Sequence, residues 1–305
     1  MQHIGFIVFV VLASVLITYS IYLYGNPNIF TLGFGVRQGN VQTSTTRVIT
    51  RQYSSSTVSK QQSGQQAAPS PSYCGQLNIN LSQIPAGFLL REISPCFGKI
   101  GISASPGYPG SYSQITLYSY LPSSAGTLNI TGWLMKGNRG SQYVPQAVNV
   151  YDPSGLSSQS DIYVKNGDTV KIYSNQSAIG VNLRLNKCIG YLANANKFNP
   201  PLYMNCPYVN RSDIINFSGQ CQNYVLSLAS CQMPAPNPPI PQTDYSCRAY
   251  LDNLNYGGCF ANHRNDNDFL SNQWVAWSGS QFLDFQHDRL LLFDRSGLLV
   301  AEYTY

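Results

Sequence analysis

Thr127-Leu128-Asn129-Ile130-Thr131-Gly132-Trp133-Leu134-Met135-Lys136 is the stretch whose reading decides the fold. Leu128 and Ile130 alternate with polar residues, and β-branched and aromatic side chains dominate, which suits a half-buried strand. Gly132 interrupts the alternation, as a bulge or a close backbone approach would. Trp133 then reads as a core anchor on the inner face of a sheet. Outward from this stretch, short β-like runs recur between turn signals at 76–81, 97–104, 114–120, 147–151, 162–165, 169–174 and 181–185. Lys165-Asn166-Gly167-Asp168 carries the Asn-Gly pair favoured in tight hairpins. Many short strands at regular spacing predict an all-β sandwich. A closing hairpin is expected from 289–293 and 298–303, joined by Asp294-Arg295-Ser296-Gly297.

Between these two groups of strands the rhythm stops. Residues 186–280 hold six of the eight cysteines and the Pro-rich run 233–241. Within them 224–229 and 269–277 read as short helices. The segment is expected to be an insertion between strands of one sandwich, braced by disulfides because its own core is small. The cysteines are Cys74, Cys96, Cys188, Cys206, Cys221, Cys231, Cys247 and Cys259, an even count with no C-x-x-C pair. With only three histidines, zinc is disfavoured and disulfides in an oxidising compartment are expected. Cys74 and Cys96 are left to pair at the start of the domain. The other six allow about fifteen connectivities.

Residues 4–24 form an uncharged apolar run long enough to span a hydrocarbon core as a helix. No A-x-A-like site follows, so an uncleaved single-pass anchor is preferred to a cleaved signal peptide. The first positive charge after it, Arg37, argues for a cytoplasmic C-terminal side, whereas the cysteines argue for an extracytoplasmic one. The cysteines decide, because the flanking charge is sparse and distant. Residues 25–72, rich in Ser, Thr and Gln beyond a Gly-rich start, bury too little to offset ordering and read as a disordered linker. All four charges of 1–72 are basic, which leaves 14 bases and 13 acids in 73–305, a net of +1. A domain that near neutrality lacks the usual footprint of a nucleic-acid binder.

Several of these pieces resemble the lamin-tail domain, an immunoglobulin-like sandwich also found in exported bacterial proteins. The resemblance rests on 128–134 (LNITGWL), Val144-Pro145, 164–174 (VKNGDTVKIYS) and the terminal strands 289–305. It covers about 95–185 and 285–305. The inserted part is similar to that of a lineage of anchored bacterial proteins with small genomes. There it rests on Arg184-Leu185-Asn186-Lys187-Cys188-Ile189-Gly190-Tyr191, Pro200-Pro201-Leu202, Cys206-Pro207 and the run from Asn255 through Cys259 and His263 to Asp268-Phe269. The resemblance implies an interaction module, with protein or nucleic acid as partner in some members, and brings no catalytic residues. A fold by itself assigns no function.

The densest polar cluster is His263-Arg264-Asn265-Asp266-Asn267-Asp268-Phe269. Asp266 and Asp268, with Asn265, are weak calcium candidates, and His263 is a candidate general base. Asn265 or Asp266 as N-cap of a helix over 268–277 is the preferred reading. His287-Asp288 stands without a G-x-S-x-G elbow and reads as a polar turn. Asp284 and Asp288 share a spacing of four, but a glycosidase needs its carboxylates across a cleft. Trp274, Trp277 and the recurrent tyrosines are mostly core, with an exposed remainder suited to a sugar or a protein partner. The sequons at Asn80, Asn129, Asn175, Asn210 and Asn216 matter only in a glycosylating host. The expected protein is a non-catalytic, membrane-anchored, extracytoplasmic binding or structural module without a cofactor, contacting a protein or glycan ligand at the cell surface through its insertion. A surface hydrolase using His263–Asp268 and surface nucleic-acid capture are the alternatives.

Overall fold

A computed structural model describes Cys74 and residues 79–305 apart from Pro109. The expected anchor at 4–24 and the expected linker at 25–72 lie outside the described residues, as does most of the expected strand 76–81. The described end of that run is a 3-10 turn, Leu81–Gln83. Among the described residues no helix is long and apolar enough to cross a membrane.

The strands are β1 Ile100–Ser105, β2 Gln114–Ser119, β3 Leu128–Asn129, β4 Leu134–Gly137, β5 Gly140–Tyr143, β6 Tyr163–Val164, β7 Thr169–Tyr173, β8 Leu183–Asn186, β9 Leu270–Trp277, β10 Arg289–Phe293 and β11 Leu299–Thr304. They build a five-stranded sheet ordered β1-β2-β7-β9-β8, a four-stranded sheet ordered β11-β10-β4-β5, and the short pair β3-β6. Every pairing is antiparallel except β7 with β9. The helices α1 Ile189–Ala195, α2 Arg211–Ile214, α3 Gly219–Ser227, α4 Tyr245–Asp252 and α5 Tyr256–His263 all lie between β8 and β9. The described residues thus form mixed sheets with a small helical part.

The two large sheets bury one core between them. Ile100, Ile102, Ile115, Leu117, Val170 and Ile172 enter from one side, and Met135, Leu290, Leu292 and Val300 from the other. Trp133 belongs to this core and is 3% exposed. The opening stretch is two strands and not one. At Gly132, with φ +77°, the chain leaves β3 and enters β4 in the four-stranded sheet. Only glycine takes that backbone freely, so the break in the alternation marks a change of sheet.

Three further expectations are corrected. Residues 269–277 are not a helix, because β9 occupies them as an inner strand of the five-stranded sheet. Its inward Trp274 and Ala276 pack in the sandwich core, while Val275 and Trp277 pack in a second core beneath the helices. A strand covered on both faces loses its alternation, and a short apolar run then does not reveal its period. The helical insertion accordingly occupies 187–269, not 186–280. The Asn166-Gly167 turn exists, with Asp168 N–H donating to Lys165 O at 3.1 Å, but it joins no hairpin. β6 pairs with β3 and β7 with β2, so the turn carries the chain between sheets. The run 147–151 makes only isolated bridges, Ala147 to Ser160 and Val148 to Leu183.

The loops at one end of the sandwich are tied by Asp161. Its carboxylate accepts from Asn129 Nδ2 at 2.6 Å, Gln146 Nε2 at 3.0 Å and Arg295 Nη2 at 3.0 Å. These bonds, Asn129 first, lower its pKa to about 2. A folded-state pKa below the unfolded value, about 3.9, contributes stability that is present above it and is lost as pH falls towards the folded pKa. In urea titrations Asp161→Asn should therefore lower the midpoint at neutral pH, with the gap to wild type closing as pH falls from about 4 to about 2. A gap independent of pH would contradict this role.

Candidate functional site

Four disulfides join Cys74 to Cys96, Cys188 to Cys259, Cys206 to Cys231 and Cys221 to Cys247. The first is the pair expected at the start of the sandwich. The other three all lie in the insertion and tie its segments to one another. Its two ends meet at the stem: Asn186 pairs with Leu270, and Lys187 N–H donates to Phe269 O at 2.8 Å. Buried Asn186 takes Cys188 N–H on Oδ1 and donates through Nδ2 to Tyr256 Oη, whose hydroxyl donates to Tyr151 O. These bonds fix α5 to the sandwich.

Each helix of the small α2–α4 group starts on a polar cap. Asn210 receives Ser212 N–H, Ser218 receives Cys221 N–H, and Asp244 receives Cys247 N–H. Asn255 caps α5 through Gly258 N–H. Such caps satisfy N–H groups that a helix leaves free. In α1, Gly190 lies against the Cys206–Cys231 bridge and the Asn205 backbone, and a side chain there would collide with both. That close approach draws the loop 196–210 onto α1. Residues 198–210 carry no charge. The loop exposes Tyr203, Met204 and Tyr208, the last at 92%.

A cleft of about 290 Å³ opens where this loop meets α2, α4 and α5. Tyr191, Tyr208 and Tyr250 line it, together with Asp213, Asn262 and His263. Apolar wall comes from Pro207, Val209 and Leu254. Burial raises the Tyr250 phenol pKa, and the Asp213 carboxylate and Tyr191 raise it further. A second cleft, of about 230 Å³, shares Tyr191, Tyr208 and Leu254 and lies towards α3 and Cys231. Tyr208 therefore stands between two concave surfaces.

The cluster singled out in the sequence borders the first cleft, in an arrangement different from the expected helix cap. Asp266 Oδ2 accepts from His263 Nδ1 and from Lys187 Nζ, each at 2.9 Å. Asp268 binds the same ammonium group. The lysine and then the histidine hold the Asp266 carboxyl below its ordinary pKa, and the two carboxylates, Asp268 first, raise that of Lys187. Asp266 and Asp268 converge on a cation that the chain itself supplies, and a calcium ion would have to displace it. Among the described residues no group of three or more His, Cys, Asp or Glu side chains is placed to hold a metal ion. Asp266 orients the His263 ring and leaves Nε2 free, with no described hydroxyl bonded to it.

The other polar candidates serve the scaffold. Asp288 is 1% exposed and accepts from Asn138 N–H at 2.7 Å and Asp284 N–H at 2.9 Å. Asp284 receives Arg139 Nε at 2.9 Å. Both carboxylates latch the β4–β5 turn to the loop before β10. Asp168 is buried at the start of β7, where burial pushes its carboxyl pKa up against the pull of the Lys165 N–H. Among the sequons, Asn80, Asn210 and Asn216 are exposed, whereas Asn129 spends its side chain on Asp161 and Thr131.

The sequence signalled the histidine cluster but not the capping residues Asn210, Ser218, Asp244 and Asn255. It did not signal the cleft, whose walls come from five segments between 191 and 263. Comparison of the chain with family models, with curated proteins and with solved structures finds no match.

Proposed function

We propose that this chain is a non-catalytic binding or structural module displayed outside the cell membrane, anchored by 4–24 and contacting its ligand through the 187–269 insertion. The observation that carries the reading is the surface of that insertion. It exposes Tyr203, Met204, Tyr208, Ile215 and Tyr245 on a frame held by three disulfides. Exposed aromatic and Met side chains on a rigid support are the composition of recognition surfaces. The acid-base pair His263–Asp266 is meanwhile engaged by Lys187. Disulfides favour an oxidising compartment and so support the extracytoplasmic side.

An immunoglobulin-like sandwich of lamin-tail type is the finer architecture we infer. Strand order supports it: the chain passes from β1-β2 to β4-β5 in the opposite sheet, returns to β7 beside β2, and ends with β10 beside β4 and β11 beside β10. That is Greek-key travel between two sheets, as in immunoglobulin folds. The parallel β7–β9 pair departs from the pattern, because the strand beside β7 arrives only after the insertion. The test is protease shaving of intact cells joined to a turnover screen. Shaving should release a disulfide-intact fragment spanning 74–305. The purified chain should turn over no glycan, ester or peptide substrate. Turnover abolished by His263→Ala would replace this reading with the hydrolase.

A further inference from the structure

The cleft beside Tyr208 has a chemistry of its own. Its lining holds one carboxylate, Asp213, and no lysine or arginine. An anionic ligand would meet repulsion from Asp213 there, and the one imidazole of the lining, His263, is already bonded to Asp266. Its polar groups are largely unspent. Asp213 bonds only the Ser212 hydroxyl through its side chain, and Asn262 makes no side-chain hydrogen bond among the described residues. Asn253 gives Nδ2 to Ala249 O and keeps its Oδ1 free to accept. Donors and acceptors thus stand beside apolar wall from Val209 and Leu254. The three lining tyrosines form no ring pair with one another among the described residues, so they do not assemble the closed aromatic box that suits a quaternary ammonium. The volume is at the small end of ligand pockets, which begin at roughly 300 Å³.

A neutral sugar ring matches this set of groups. It presents an apolar C–H face to an aromatic ring and a rim of hydroxyls that both donate and accept. Resting on the insertion as the contact surface, we propose that the cleft binds a neutral saccharide unit. Tyr208 packs on the ring face, and Asp213, Asn253 and Asn262 hydrogen-bond the hydroxyls. Tyr208, exposed to solvent, gains burial only when the ligand arrives. A carboxylate accepting from sugar hydroxyls makes charge-assisted bonds, the stronger kind.

The test uses the full disulfide-bonded chain and saturation-transfer NMR. The probes are glucose, galactose, mannose, N-acetylglucosamine and their β-linked disaccharides, with tetramethylammonium as the cationic probe. Saturation should pass to at least one saccharide at millimolar concentration, without cleavage. Tyr208→Ala should weaken binding about tenfold, and Asp213→Asn by a similar factor. Tyr208 is too exposed for its truncation to disturb folding. Tyr163→Ala, on the sandwich, should change nothing. The site is overturned by no transfer to any saccharide, by binding that survives both cleft variants, or by tetramethylammonium binding in place of sugar. Failure of these kinds leaves the insertion free to contact another ligand, and the shaving and turnover tests decide that broader reading separately. Cleavage of a bound sugar, lost with Tyr208→Ala, would keep the saccharide site and end the non-catalytic reading.

Discussion

Replacing 188–268 with a two-residue Asn-Gly turn should abolish the soluble monomer, although the chain geometry at the stem permits the cut. Lys187 and Phe269 are hydrogen-bonded neighbours, so a tight turn closes the β8–β9 pair without moving it. The obstacle is the outer face of the five-stranded sheet. Tyr173, Leu183, Leu185, Val275 and Trp277 are each 7% exposed or less, under helices that the cut removes. Returning a large apolar side chain to water costs about 1.5–3 kcal/mol. Five of them cost on the order of 10 kcal/mol, comparable with the whole stability of a typical domain, about 5–15 kcal/mol. The deletion should elute as aggregate and lose near-UV dichroism. A companion deletion with Leu183, Leu185, Val275 and Trp277 changed to Thr should recover a monomer, because the sandwich core on the opposite face is untouched. A soluble, cooperatively unfolding monomer from the first deletion would mean that the insertion is an ornament and not a cover.

This double role of the insertion explains what could be read from the chain and what could not. A strand with one wetter face was legible: β10 alternates along its whole length and runs over 289–293 as expected. β9 was misread because its wet face is the one the helices cover. The run Trp274-Val275-Ala276-Trp277 serves two cores in alternate registers. β5 escaped notice because Gly140-Ser141-Gln142-Tyr143 has no apolar face, being an exposed edge. The Asn166-Gly167 turn was legible as backbone chemistry. Which strands it joins depends on partners about 35 and 50 residues upstream, which local sequence does not report. The starts of α4 and α5, capped by Asp244 and Asn255 in the fold, were not legible, and α5 opens on Tyr256-Gly257-Gly258, where the glycines weaken a helical pattern. The cleft was illegible for a different reason. Its walls are brought together by disulfides, and six cysteines do not announce their pairing.

Removing Cys221–Cys247 should melt one part of the insertion and leave the rest standing. The core it crosses is small: Ile214, Val225, Ile240 and Leu251 surround the two half-cystines, both fully buried. Four aliphatic side chains contribute at most about 6–12 kcal/mol. Ordering the roughly 45 residues that α2, α3 and α4 span costs several times that, at about 1–2 kcal/mol each. The group therefore depends on its cross-link and on its attachments at either end. Closing 26 residues, the bridge contributes about 3–4 kcal/mol through the unfolded state. The hydroxyl of Ser218, which donates to Asp244 Oδ2 at 2.8 Å, joins the starts of α3 and α4 beside it but is exposed and does not replace it. In Cys221→Ser with Cys247→Ser, limited proteolysis should cut within 209–254, and hydrogen exchange there should lose protection. β9 and β10 should stay protected, and the main thermal transition should move little, because the sandwich and the α1–α5 core share none of these six side chains. Saccharide binding should vanish with the order of Tyr250 and Asp213. Protection lost equally in β9 and in α3 would show that insertion and sandwich unfold as one unit, and unchanged cleavage would show that the bridge adds nothing to the helices it joins.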